Sequence, residues 1–267
     1  MSKFCRHWSI VPNCYNIPMG YPTLKEEQKL WQKGYKVVAC IDEVGRGPLA
    51  GPVMACAVAL RKFSIFNFPA RSRQATALAG GQFPKLKDSK KLSPRQRSQL
   101  YDVLTNHPCI RWGIGKIYPK TIDRINIYHA AKLAMTRALH NLEKKLSMQK
   151  SCDRTNSAHI AGYLILDGNM ALDVAIPQKA IVKADEKVFS CAAASIIAKV
   201  TRDRLMLKLH KKYPLYGFDR HKGYGTRLHF EMLKKHGPCE AHRQSFQPIA
   251  VYSMNSRKTL IKKHSTF

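Results

Sequence analysis

Apolar residues run without alternation from Val37 to Ile41 and again through Val53 to Val58, with the turn DEVGRGPLAG between them. Such runs suit strands covered on both faces, so the pattern predicts two buried strands joined by a glycine-rich turn. A third strand is predicted over Cys109 to Tyr118, broken by Pro119, and a fourth over Gly162 to Asn169. Lys179 to Asp185 repeats the pattern of an apolar strand closing on an acid. Helical signals fall between these runs. Thr23 to Lys33 is predicted as a short helix with Thr23 as cap and Glu26 at capping-box spacing, and Ser93, Pro94 and Gln96 open another that runs to about Asn106. From about Asn126 to Leu146, the residues Ile127, Ala131, Ala134, Ala138 and Leu142 share one stripe. Val188 to Lys212 is predicted as a long helix with Ile196, Ile197, Val200, Leu205 and Leu209 inward. Its small residues from Cys191 to Ser195 let it lie close against a sheet. A loop of glycines, aromatics and bases then leads into a short helix capped at Thr226 and stopped at Gly237-Pro238.

Less pattern is found elsewhere. Residues 1–20 read as an extension, 61–84 as a loop or insertion, 147–159 as a polar insertion, and the chain beyond 250 as a basic tail. The working division is an N-terminal extension (1–22), an α/β catalytic domain (23–212), a small C-terminal helical part that binds substrate (213–250) and a tail (251–267). No internal repeat is visible.

Charge narrows the class of partner. With 46 Lys and Arg against 17 Asp and Glu, the net charge is +29, spread along the chain rather than held in one tail. A polyanion partner follows, and nucleic acid is favoured over membrane because no run of about 18 apolar residues is present. The eight cysteines are scattered without a CxxC pair, which argues against zinc ligation and a redox dithiol; Cys40, Cys56 and Cys191 read as small buried hydrophobes in a reducing compartment. The N-terminus has no apolar segment of signal length, so the expectation is a cytosolic, non-membrane protein acting as a monomer.

In a chain so poor in acids, the placement of four is informative. Asp42 and Glu43 end the first strand, Asp167 the fourth and Asp185 the fifth. Locally, an acid pair at a strand end is as well read as a surface feature as a site. Three strand ends are harder to dismiss. Gathered together, the four would form an all-oxygen cage suited to Mg²⁺ or Mn²⁺, and two such ions roughly 4 Å apart suit phosphoryl transfer. Gly45, Gly47 and Gly51, with Pro48 and Pro52, give a stiff turn whose backbone can approach a ligand closely.

Several motifs in order carry a family resemblance: IDEVGRGPLAGPV at 41–53, DSKKLS at 88–93, LILDGN at 164–169, KADEKVFSCAAASIIAKVTRDRLM at 183–206, and YGFDRHKGYGT with HRQSF across 216–246. Over about residues 25–249 the chain resembles bacterial-type ribonuclease HII. The related ribonuclease HIII is expected to lack GRG after DEVG and to carry an extra N-terminal domain. The resemblance implies a ribonuclease H-like fold, with a central mixed sheet flanked by helices and a small C-terminal helical subdomain. It also implies an endonuclease that cuts the RNA strand of RNA–DNA hybrids and incises beside single ribonucleotides in duplex DNA. Asp42, Glu43, Asp167 and Asp185 fall on its metal ligands, Gly45, Arg46 and Gly47 on the motif that senses the ribose 2′-hydroxyl, and Tyr224 on the tyrosine that packs against the following deoxyribose. Lys90, Ser195, Lys199 and Arg202 lie in matching segments, where phosphate contact and fold packing are both open. Asp203, four residues from Lys199, reads as its ion-pair partner. His221, His236 and His242 lack metal-ligand spacing, and a role in proton transfer or none is open for a loop histidine. The rival readings are a DNA-directed nuclease of the same fold and a basic nucleic-acid-binding protein.

Overall fold

The computed structural model describes residues 21–61, 86, 89–148, 162–247 and 249–252. The terminal extension over residues 1–20, most of the 61–84 loop, most of the polar insertion and the tail from 253 onward lie outside the described residues.

Five strands form one mixed sheet: β1 (Val37–Val44), β2 (Val53–Arg61), β3 (Ile110–Ile117), β4 (Gly162–Asp167) and β5 (Gln178–Ile181), in the order β3-β2-β1-β4-β5. β1, β2 and β3 are antiparallel neighbours, while β4 runs parallel to β1, and β5 to β4. Among the described residues seven α-helices accompany them: α1 (Lys25–Gln32), α2 (Pro94–Asn106), α3 (Pro119–Met148), α4 (Ala184–Lys187), α5 (Phe189–Lys212), α6 (Phe218–His221) and α7 (Arg227–His236).

Both faces of the sheet are covered, which is why its inner strands show no polar alternation. On one face Val38, Cys40, Cys56 and Val58 meet α1, α2 and α5; on the other Ala39, Ile41, Ala55, Ala57 and Leu164 meet α3. The stripe of small residues on α3 has a partner stripe on β3. A Cβ on Gly113 would strike the Ala138 carbonyl and one on Gly115 the Ala134 carbonyl, so only glycine permits the helix to approach this closely. On the opposite face, Cys191 to Ser195 of α5 are all buried, as their small side chains require. A third cluster, made by Leu49, Ala50, Met206, Phe218, Leu233 and Ile249, joins the glycine-rich turn to the C-terminal helices.

Local signals are realised unevenly. Ser93 caps α2 in a full capping box with Gln96, with Pro94 at the first helical position. Thr226 accepts from His229 N–H to cap α7, and Gly237 ends it. Leu24 rather than Thr23 holds the N-cap position of α1, although Thr23 Oγ1 accepts from Lys25 N–H at 3.4 Å; the Thr23 backbone bridges to Val188, donating to the Lys187 carbonyl and accepting from Phe189 N–H. Pro119 does more than end β3, because it opens α3. The helix is interrupted at Asn126 (φ 61°, ψ 170°), whose side-chain oxygen accepts from Tyr128 and His129 N–H and so restarts it. Leu205 and Leu209 are half-buried rather than core, and Arg202 and Met206 take the inward positions instead.

Among the described residues the five cysteines at 40, 56, 109, 191 and 239 are free thiols, and Cys40, Cys56 and Cys191 are fully buried in the core as the sequence suggests. No described helix is long and apolar enough to cross a membrane.

One buried acid lies away from the strand ends. Glu27 on α1 accepts from Ser190 N–H at 2.9 Å and Ser190 Oγ at 2.7 Å, capping α5 from a neighbouring helix, while its other oxygen is buried without a hydrogen-bond partner. Burial, only partly offset by the Ser190 bonds, pushes its pKa up from 4.5 to about 7. A carboxyl whose folded pKa is raised contributes stability below its unfolded pKa that is lost as pH rises to the folded one. Glu27→Gln should therefore remove a pH slope. The variant is expected to gain about 3 kcal/mol relative to wild type between pH 4.5 and 7, with little change above, and urea denaturation across that range measures it. Parallel stability curves for the two proteins would refute the assignment.

Candidate active site

β1 does not stop at Ile41 but runs on through both acids to Val44. Alternation along the strand sends Asp42 to the α5 side, with Val38 and Cys40, and Glu43 to the α3 side, with Ala39 and Ile41. Parallel pairing ends at Ile41 with Leu166, so the next residues, Asp42 on the continuing β1 and Asp167 at the end of β4, stand side by side on adjacent strands. Asp185 arrives differently from the sequence expectation. β5 is an exposed edge strand rather than a buried one; the chain then turns through Lys183 in the left-handed region (φ 57°), and Asp185 is presented, buried, from the helical turn α4.

The four carboxylates feel one another. Asp42 is pushed well above its usual pKa, first by burial and then by the charges of Glu43 and Asp167, with Asp185 adding to them and a hydrogen bond from Ser195 opposing. Burial also raises Glu43, against the pull of Arg46, whose Nη1 lies 3.2 Å from its Oε1. Asp42 is served by the Ser195 hydroxyl, Glu43 by the Arg46 guanidinium, and Asp167 by the Ala184 N–H at 2.6 Å. Accordingly, among the described residues no three His, Cys, Asp or Glu side chains are drawn together into a finished ion cage.

The glycine-rich turn is anchored from within. Arg243, fully buried, donates to the carbonyls of Gly45 (2.5 Å), Arg46 (2.7 Å) and Gly51 (3.0 and 3.1 Å). Arg202, also fully buried, donates to the carbonyls of Pro52, Ala50 and Lys222. Gly45 (φ 86°) is obligatory here because a Cβ would collide with Arg202. In a trans peptide the N–H points opposite to the C=O, and no bond in the described chain is cis. With the Gly45 and Arg46 carbonyls turned inward onto Arg243, the Arg46 and Gly47 N–H groups are directed away from it, and both residues are exposed.

Tyr224 stands beside this turn. Its loop is tied to it by Leu49 N–H donating to the Gly223 carbonyl, its phenol is close enough to Arg202 and Arg243 to influence both, and its side chain is 43% exposed. The other sequence candidates divide. Lys90 is exposed on a single turn just before α2. Lys199 is paired with Asp203 at 3.0 Å, the ion pair read from their spacing. Ser195 is buried, its hydroxyl 2.9 Å from that of Ser89, and serves Asp42 rather than facing a ligand. Arg202, open to a phosphate role in the sequence, has its guanidinium committed to backbone carbonyls. His236 is exposed, whereas His221 and His242 are buried together with His229. Sequence reasoning missed Arg243 and His229. For Arg243 a signal existed, because a glycine- and proline-rich turn has many carbonyls and few donors, so something must supply them.

A mixed five-stranded sheet with acids at the ends of adjacent parallel strands, a further acid just past the edge strand and a strongly basic chain around them defines an α/β nuclease of the ribonuclease H-like class. Comparison with known proteins is consistent throughout. A family model described as Ribonuclease HII matches residues 39–249, and the chain belongs to the ribonuclease HII family. The chain is 44% identical over 223 residues to the Ribonuclease HII of Chlamydia caviae, covering 84% of this chain and 90% of that protein. It is 46% identical over 225 residues to that of Bacillus mycoides, covering 84% and 74%. Among solved structures, the ribonuclease H2 from Pyrococcus horikoshii OT3 superposes with a TM-score of 0.54 at 25% identity, over 83% of this chain and 99% of that one. The activity that follows is that of an endonuclease acting on RNA–DNA hybrids.

Proposed function

We propose that the enzyme also incises duplex DNA on the 5′ side of a single embedded ribonucleotide, leaving 3′-hydroxyl and 5′-phosphate ends. The observation that carries this reading is the juxtaposition of the outward N–H groups of Arg46 and Gly47 with Tyr224, on a turn that leads directly from Asp42 and Glu43. A 2′-hydroxyl is what separates RNA from DNA at one position, and two fixed peptide donors beside a sugar-packing ring suffice to find it. Asp42, Glu43, Asp167 and Asp185 are proposed to hold two divalent cations, Mg²⁺ or Mn²⁺. The donors fit, being hard oxygens whose mutual repulsion, evident in the raised Asp42 and Glu43, a cation would relieve. When bound, such ions would activate water and offset charge at the scissile phosphate.

The chain's own groups do the positioning. Ser195 and the Ala184 N–H orient Asp42 and Asp167, Arg46 holds Glu43, and the glycine-rich turn takes the ribose. Lys90 and Lys199 are proposed to meet backbone phosphates, Lys199 sharing its charge with Asp203, and the 213–250 segment is proposed to close over the substrate.

The test compares nicking of one duplex with and without an embedded ribonucleotide, in Mg²⁺ and in Mn²⁺. Cleavage only of the ribonucleotide-containing strand is expected; equal cutting of the all-DNA duplex would favour a DNA-directed nuclease. In the same assay, Tyr224→Ala should lose about tenfold or more in kcat/KM on the single ribonucleotide and only a few-fold on a continuous hybrid, where neighbouring riboses offer alternative registers. Equal losses on both substrates would remove Tyr224 from junction sensing.

A further inference from the structure

Behind the Tyr224 loop lies a buried aromatic cluster containing His221, His229 and His242. The His221 and His229 rings stack with centroids 4.3 Å apart, and Phe218 packs edge-on against both. Burial first, then the neighbouring imidazoles, lowers the pKa of His229 to about 4 and that of His242 to about 3, so the cluster is uncharged at neutral pH.

A neutral imidazole has one donor and one acceptor nitrogen, so a partner on one side dictates the role of the other. The Cys239 N–H lies 2.9 Å from His242 Nδ1. A backbone N–H can only donate, so Nδ1 accepts and the His242 proton sits on Nε2. The Cys239 carbonyl oxygen and sulfur are each 3.3 Å from the same nitrogen. A proton on Nδ1 would suit that oxygen but would confront the closer N–H, and the shorter contact prevails. His242 Nε2 faces His229 Nε2 at 3.0 Å. Since the first carries the proton, the second accepts, which leaves the His229 proton on Nδ1, 2.8 Å from the Tyr224 carbonyl. His221 is fixed by the same logic: Gly223 N–H donates to its Nδ1 at 3.2 Å, and its Nε2–H donates to the Tyr216 carbonyl at 2.7 Å.

We propose that His242 and His229 form a tautomer-locked relay from the Cys239 peptide to the Tyr224 carbonyl, which makes both of them positioning residues for discrimination at the ribonucleotide junction. The inference rests on the proposed role of Tyr224. The Tyr224 peptide is held on both sides, its N–H donating to the His221 carbonyl and its C=O accepting from Thr226 N–H and His229. That anchorage aims the Cα–Cβ bond and hence the half-exposed ring. Losing the His229 bond leaves the carbonyl held by Thr226 N–H alone, which loosens it and blurs the ring's position without touching the carboxylates.

The test pairs two substitutions with a spectroscopic measurement. His242→Gln can still accept from Cys239 through its amide oxygen and donate to His229 through its amide nitrogen; His242→Leu can do neither. On duplex DNA with one ribonucleotide, the Leu variant is expected to lose about tenfold in kcat/KM, with less than about threefold lost on continuous hybrid, and the Gln variant to recover most of the loss. Nitrogen-15 NMR of the unaltered enzyme at neutral pH should show His242 protonated at Nε2 and His229 at Nδ1. The reversed tautomers overturn the relay however the variants behave, so the proposal is decided even if the Leu protein does not fold. Tyr224→Ala separates the two levels. A selective loss there with no selective loss in His242→Leu sinks the relay alone, whereas no selective loss in Tyr224→Ala sinks the reading of Tyr224 beneath it.

Discussion

Asp42→Asn is expected to reduce cleavage of RNA–DNA hybrid by at least about a thousandfold while leaving hybrid affinity, measured in EDTA, within about threefold of wild type. Asp42 lies on the central strand where its parallel pairing with β4 ends, beside Asp167, and burial followed by the charges of Glu43 and Asp167 raises its pKa well above the usual value. Removing its charge removes a cation ligand without altering the basic surface that holds phosphates. Shape is conserved, and an amide can still accept from Ser195. The same change should stabilise the protein in the absence of divalent ions. Asp42 is buried and its folded pKa raised, so its ionised form costs stability that grows as pH rises above the unfolded value of 3.8. In EDTA at pH 8 the Asn variant should melt a few degrees higher than wild type, roughly what 1–2 kcal/mol produces in a chain of this size. Adding Mg²⁺ should raise the wild-type Tm and leave that of the variant nearly unmoved. Turnover near wild type, or an equal response of both proteins to Mg²⁺, would show that Asp42 is not a ligand.

Much of this arrangement was legible because the physics that sets it is local. Unbroken apolar runs marked strands buried on both faces, and the Ser93 box and Thr226 fixed two helix starts to the residue. The acids stood out because they interrupt apolar strands in a chain with only 17 of them. What escaped depends on tertiary partners. Thr23 has the spacing of a cap and its hydroxyl accepts from Lys25 N–H, but its backbone is drawn into a bridge to Val188 and the N-cap position falls on Leu24. Asp185 looked like the end of a buried strand because Ala180, Ile181 and Val182 just before it are apolar. Its strand is an edge, and a left-handed Lys183, which no propensity favours, turns the chain before the acid. Among the basic residues that the structure describes, the buried Arg202 and Arg243 carry no mark in the sequence and are recognisable only once the carbonyls they serve are in view. His229 falls inside a helix whose capping explains it locally, so its second role, toward Tyr224, had no signature.

Arg243→Met is expected to be the most damaging change outside the carboxylates. Burial, and then the charge of Arg202, lowers the Arg243 pKa to about 9, which still leaves it charged at neutral pH. Its value lies in geometry. One planar fork serves the carbonyls of Gly45, Arg46 and Gly51, three acceptors on a turn with no side chains able to replace it. Methionine fills the volume but leaves those carbonyls buried without a donor, at about 1–3 kcal/mol each before relaxation. A net loss of about 3 kcal/mol in urea denaturation is the expected result, offset in part by relief of the repulsion from Arg202. Lysine should not rescue it, since a single ammonium cannot span three carbonyls. The catalytic consequence separates this role from simple packing. The Gly45 and Arg46 carbonyls released from Arg243 can rotate outward, and each rotation turns the Arg46 or Gly47 N–H inward, away from a ribose. At temperatures where the variant is folded, incision at a single ribonucleotide should fall at least about tenfold further than cleavage of continuous hybrid. Proportional losses on both substrates would mean that Arg243 stabilises the fold without aiming the turn.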